Sequence, residues 1–139
     1  MASPKLTHES RTDGFGAQYQ EIIVCYVVCK EHNRDYVYTP FITMEHNYTN
    51  DPTYIEKKEE LINLKNNIEN NSEKAIVIPT GSLYRQFEDN IDFYLKSDYL
   101  LKLKNFYWAN KSKNFFNNDK MNIAVHVRRM NVRDHRPQP

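Results

Sequence analysis

Residues 123–129, Ile-Ala-Val-His-Val-Arg-Arg, place one imidazole and two guanidiniums at the end of a short apolar run. If side chains alternate across a strand, Ile123, Val125 and Val127 share one face; Ala124, His126 and Arg128 share the other, with Arg129 opposite them. A guanidinium stays charged at physiological pH and grips two phosphate oxygens in a fork, and an imidazole can hydrogen-bond a ribose, a base or a phosphate. His126 and Arg128 in one space therefore suit a nucleotide diphosphate held at a strand end. The same residues also fit a plain strand whose terminal charges are solvated.

A second group of chemical interest lies near the start. Residues 11–20, Arg-Thr-Asp-Gly-Phe-Gly-Ala-Gln-Tyr-Gln, read as a glycine-bearing turn that feeds a helix. Gly14 and Gly16 are expected to take backbone conformations closed to other residues and to approach a ligand closely. The helix would aim free amides and a partial positive charge at the same place. The turn by itself is a poor dinucleotide fingerprint: Lys-Leu-Thr-His-Glu-Ser ahead of it makes a poor buried strand, a third glycine is absent, and no acid follows the next strand suitably.

The elements that must position these groups alternate in type. The helix after the glycine turn is expected to run to about Glu31 and, being apolar almost all round from Tyr19 to Cys29, to be buried on several sides. A short strand, Tyr36–Tyr38, follows. Asp51 as cap and Pro52 as first helical residue are expected to start a surface helix with Ile55, Leu61, Ile62 and Ile68 on its apolar stripe. Residues 75–78 read as a short buried strand stopped by Pro79-Thr80-Gly81. From Tyr84 to Lys111 the pattern is helical, with Phe87, Ile91, Tyr94 and Leu95 on one stripe and Ser97 placed to cap a segment carrying Leu100, Leu101, Leu103 and Phe106. Tyr107 and Trp108 are expected in the core, with a sugar-stacking role for Trp108 as the alternative. Strands alternating with helices imply an α/β sandwich with a mostly parallel sheet.

Composition narrows the function classes. The 139 residues suffice for one globular domain, and 40% hydrophobic with 13% aromatic content supports a core. A net charge of +1 argues against a general nucleic-acid binder, although Arg128, Arg129, Arg133 and Arg136 face only Asp134 near the end. The longest apolar run, Ile22 to Cys29, is far short of the roughly 20 residues of a membrane span. The N-terminus lacks the apolar core of a secretory signal, so a cytoplasmic setting is expected. Cys25 and Cys29 share a helix face with neither a third Cys nor a His in register, so packed thiols are expected and no metal site is assigned. The sequons at Asn47, Asn70 and Asn110 are set aside as products of the high Asn content.

The glycine turn and the His-Val-Arg-Arg strand taken together resemble the GDP-fucose-dependent fucosyltransferases, the α1,2- and α1,6-transferring group with its His-x-Arg-Arg signature. In that family the first Rossmann-like lobe opens on a Gly-x-Gly-x-Gln type turn, matched by Gly14, Gly16 and Gln18. The resemblance implies a three-layer Rossmann-like sandwich, the first lobe of a GT-B type glycosyltransferase over residues 1–121, with residues 122–139 beginning a truncated donor-binding lobe. It implies that Arg128 contacts the β-phosphate of the departing GDP, with His126 beside the nucleotide and Arg129 supporting the strand end. The chain departs from the family where Met130-Asn131 replace the usual Gly-Asp or Thr-Asp, which leaves the acid position to Asp134. It also stops ten residues after Arg129, so the expectation is the N-terminal portion of a longer enzyme or a shortened gene product.

The chemistry so implied is inverting, metal-independent transfer from a nucleotide sugar to a glycan hydroxyl. GDP-fucose is the donor substrate, no cofactor is called for, and the sequence carries no Asp-x-Asp metal motif. Arg128 would meet the charge that builds on the leaving phosphate, an interaction worth several kcal/mol. Asp13, at the glycine turn, is the candidate general base. The alternative is a non-catalytic module that keeps a nucleotide or glycan contact without turnover; a nucleic-acid contact through the basic tail is the third reading.

Overall fold

A computed structural model describes residues 4–70, 74–79, 81–109 and 111. Three short strands, β1 (Lys5–His8), β2 (Asp35–Tyr36) and β3 (Ile76–Ile78), form a parallel sheet in the order β2-β1-β3. Leu6 stands in register with Tyr36 on one side and Ile76 on the other. The central strand is thus the segment expected to make a poor one. It works because its polar groups find partners inside: the Thr7 and Thr39 hydroxyls lie 2.7 Å apart, and His8 Nδ1 lies 2.6 Å from the Tyr36 hydroxyl. Burial of Thr7 and His8 then leaves no donor or acceptor orphaned.

Helix α1 (Phe15–Glu31) carries the chain from β1 to β2. Its buried residues run nearly unbroken from Glu21 to Cys29, as its all-round apolar character requires, and Ile22 and Val27 are fully enclosed. Around them sit Leu6, Tyr36, Tyr38, Phe41, Ile62, Leu64, Tyr94 and Leu103, one continuous core. Each such aliphatic side chain contributes about 1.5–3 kcal/mol on leaving water. The segment after β2 crosses to the far side of β1 through α2 (Tyr54–Ile62), a half-buried helix whose Ile62 reaches the core. Asp51 does not cap it directly. Its Oδ1 accepts from the backbone N–H and hydroxyl of Thr53 at 2.8 and 2.7 Å, which makes a turn just upstream, and the helix begins at Tyr54. It closes at Asn63, whose left-handed backbone (φ 53°) suits the short amide side chain.

Two expectations about the second half are corrected. β3 is not buried: Ile76 and Val77 are 56% and 55% exposed, because this strand pairs only with β1 among the described residues. The long helical pattern from Tyr84 is three helices, α3 (Tyr84–Asp89), α4 (Ile91–Tyr94) and α5 (Asp98–Trp108). Asn90, with an extended φ of −128°, ends the first of them. Ser97 does cap α5, its Oγ accepting from the Tyr99 amide at 3.1 Å while it donates to Glu31. The breaks turn the apolar stripe outward, so that Ile91, Leu95 and Leu101 are exposed while Tyr94 and Leu103 reach the core. Trp108 is half-buried, edge-on to Tyr107. No helix among the described residues is long and apolar enough to cross a membrane.

Candidate functional site

In a parallel sheet the backbone beyond the carboxyl ends of the strands is free to bind, and it is most open where successive connections leave a strand in opposite directions. Here that point is β1. The chain goes from β1 to β2 on one side and returns to β3 on the other, so the loops after β1 and β3 diverge from neighbouring strand ends. The Glu9 amide donates to Ile78 O at 3.1 Å and carries the pairing one step past His8. From there the chain enters the glycine turn and α1, while β3 runs into Pro79 and Gly81, whose φ of +80° only glycine adopts readily.

The turn is fixed by residues on both sides of it. Buried Gln18 donates from Nε2 to Asp13 O at 2.6 Å and to Thr43 O at 2.9 Å, and the Glu45 amide donates to Thr12 O at 3.1 Å. Gln18, matched by the resemblance to the family's substrate-binding turn, here ties the turn to the loop after β2 through both of its contacts. The glycines are corrected. Gly14 has an ordinary extended backbone (φ −66°, ψ 158°), and Gly16 lies in the first turn of α1 with open space where a side chain would stand. What Gly14 permits is a neighbour: a Cβ there would come within 2.6 Å of His46 Cδ2 and 3.1 Å of His46 Nε2.

Asp13 sits at the turn as expected and is gripped by Arg11, which donates from Nε to Oδ1 at 3.1 Å and from Nη2 to Oδ2. Arg11 Nη1 also reaches Glu21 Oε2 at 3.5 Å, and Glu21 Oε1 accepts from the Cys25 thiol at 3.6 Å. Burial pushes the Glu21 carboxyl above its ordinary range, partly offset by Cys25 and Arg11; the Asp13 contact raises the Arg11 guanidinium. Within the turn, then, the cation is already committed to two carboxylates. His126, Arg128 and Arg129, the residues expected to hold a diphosphate, lie outside the described residues.

The two thiols are inert. Both are buried and form no disulfide; burial pushes Cys29 up to about 11 and Cys25 further still, leaving no thiolate at neutral pH. Among the described residues no group of three His, Cys, Asp or Glu is arranged to hold a metal ion. Cavities of about 480 and 740 Å³ lie along α4 and α5, lined by residues such as Leu95, Leu100, Lys96 and Asp98, and neither is lined by the glycine turn.

The sequence reading missed Arg11, Glu21, His46 and Tyr48. Arg11 stands two residues from Asp13, a spacing at which a carboxylate and a guanidinium often pair in a turn. His46 carried no local signal, because its proximity to Gly14 is created by the fold. No family model matches the chain, and neither the curated proteins nor the solved structures include a match.

Proposed function

We propose that this chain is the first, Rossmann-like lobe of a GT-B type glycosyltransferase that moves a sugar from a GDP-sugar, GDP-fucose by resemblance, to a glycan hydroxyl. The observation that carries the reading is the position of the glycine turn. It leaves the central strand of a parallel sheet at the point where the connections reverse, the place where α/β folds receive nucleotides and their phosphates. A turn so fixed by Gln18 and Glu45 is suited to form one wall of a cleft whose other wall is a second lobe.

In this reading the acceptor oxygen attacks the anomeric carbon from the face opposite the phosphate. The bond from that carbon to the β-phosphate oxygen breaks, and its electron pair leaves with GDP. Arg128 meets the developing charge, and His126 and Arg129 hold the nucleotide and the strand end. Asp13 takes the acceptor proton, its carboxylate fixed in place by Arg11. The step is inverting and uses no metal ion. The reading places the protein in the cytoplasm, a setting compatible with the buried free thiols.

GDP should raise the thermal midpoint of the full chain, and Arg128→Ala should remove that protection. A shift given equally by any polyanion and erased by modest salt would refute the nucleotide reading. If GDP protects but none is released from GDP-fucose with a panel of acceptors, the non-catalytic module is the correct form of it.

A further inference from the structure

We infer that His46 and Tyr48, on the loop after β2, form a subsite for a sugar ring, and that this subsite holds the acceptor. The inference rests on the glycosyltransferase reading and adds to it the residues that would bind the second substrate.

The imidazole of His46 is seated over the start of α1, in the space Gly14 leaves by having no side chain. Its backbone is held at φ +70°, a conformation uncommon for residues other than glycine. The preceding residue is anchored, since the Glu45 amide is hydrogen-bonded to Thr12 O, and Gln18 holds Thr43 O two residues further back. The ring orientation is fixed as well: Nδ1 lies 2.6 Å from the Tyr48 hydroxyl, and the two rings are tilted by 47° at a centroid separation of 5.6 Å. With Nδ1 so engaged, Nε2 is the ring nitrogen left over, on the edge of the ring that lies against Gly14.

Tyr48 is 51% exposed although it is a large aromatic residue, and His46 is exposed beside it. An aromatic ring offers an apolar face with a polar tip, and the adjoining imidazole offers a nitrogen that pairs with a hydroxyl. A pyranose presents the complementary pair, an apolar C–H face and a rim of hydroxyls. A flat apolar ligand would leave the imidazole nitrogen unused, whereas a neutral polyol ring meets both the aromatic face of Tyr48 and the exposed imidazole of His46.

The test titrates the full chain with lactose and, separately, with chitotetraose, following the His46 and Tyr48 ring resonances by NMR on selectively labelled protein. At least one of the two sugars should shift both rings saturably. His46→Ala and Tyr48→Ala should each weaken that binding by roughly ten-fold, and Tyr48→Phe, which keeps the stacking face but frees the imidazole, by about three-fold. Both positions are exposed, and an amide spectrum of each variant confirms that the fold is retained. If neither sugar moves these resonances, or if His46→Ala binds as tightly as the native chain, the subsite is refuted. A parallel titration with GDP separates the two readings. GDP binding without sugar at His46 removes the subsite alone, whereas sugar at His46 without GDP binding supports the subsite and removes the donor reading.

Discussion

Acidification should destabilise this protein through His8. The residue lies in the central strand, 6% exposed, with Nδ1 at 2.6 Å from the Tyr36 hydroxyl and its ring stacked on Tyr36. Burial raises the Tyr36 phenol well above its ordinary range, so Tyr36 stays protonated and donates to a neutral imidazole. Desolvation lowers His8 from 6.5 to about 4. For a base held below its unfolded value, the unfolded chain binds more protons between the two values. Stability is therefore complete above about pH 6.5, falls as the pH drops, and reaches its full loss near pH 4. At ~1.36 kcal/mol per pH unit that gap comes to roughly 3 kcal/mol, a large share of the 5–15 kcal/mol typical of a domain. Glu21 acts with the opposite sign, because burial raises its carboxyl and the fold gains a proton before the unfolded chain does. Urea unfolding of the native chain and of His8→Gln, compared at several pH values between about 7 and 4.5, cancels that contribution. The stability difference between the two proteins should shrink or reverse by about 2 kcal/mol across that window. Parallel stability lines for the two proteins would show that His8 is not held neutral by the fold and would refute the reasoning.

Other outcomes follow from single contacts. Ser97→Ala removes the cap of α5 and the contact to Glu31, and should lower stability by about 1–2 kcal/mol in urea titration with an unchanged slope. Gly16→Ala and Gly81→Ala should move stability in opposite directions: the first raises it by about 0.5–1 kcal/mol in a helical, open position, and the second lowers it by about 1 kcal/mol at φ +80°. Thermal midpoints that shift the same way for both would contradict the backbone argument. Arg11→Met leaves Glu21 buried without its cation and should cost about 1–3 kcal/mol at neutral pH, less than the roughly 3–5 kcal/mol of a fully buried pair because Arg11 is partly exposed. Removing a group that lowers Glu21 raises its folded value further, so part of that loss should return as the pH falls through it; a loss that does not depend on pH would exclude this account.

The strength of the glycine turn as a site lies in its connections. A loop that follows one strand is pinned to a loop that follows another by Gln18 and by the Glu45 amide, so the turn, His46 and the start of α1 form one unit. Residues on such rigidly tied loops hold a geometry that an isolated surface loop does not. The Arg11–Glu21–Cys25 chain then links the turn to the buried face of α1, so that changes in the charge of the turn are felt as changes in core stability.

By itself the sequence determined the α/β class, the buried character of α1, the cap at Ser97 and the location of the turn, because each depends on spacing within a few residues. The strand order β2-β1-β3 and the central place of Lys5–His8 were decided only in the folded chain, since a strand containing Thr7 and His8 becomes a core strand when Thr39 and Tyr36, some thirty residues away, satisfy its polar groups. The exposure of β3 and the division of the helical pattern at Asn90 likewise depended on which neighbours those residues meet. Tertiary structure alone brought His46 against Gly14, because no local rule connects an imidazole on one loop with the missing side chain on another.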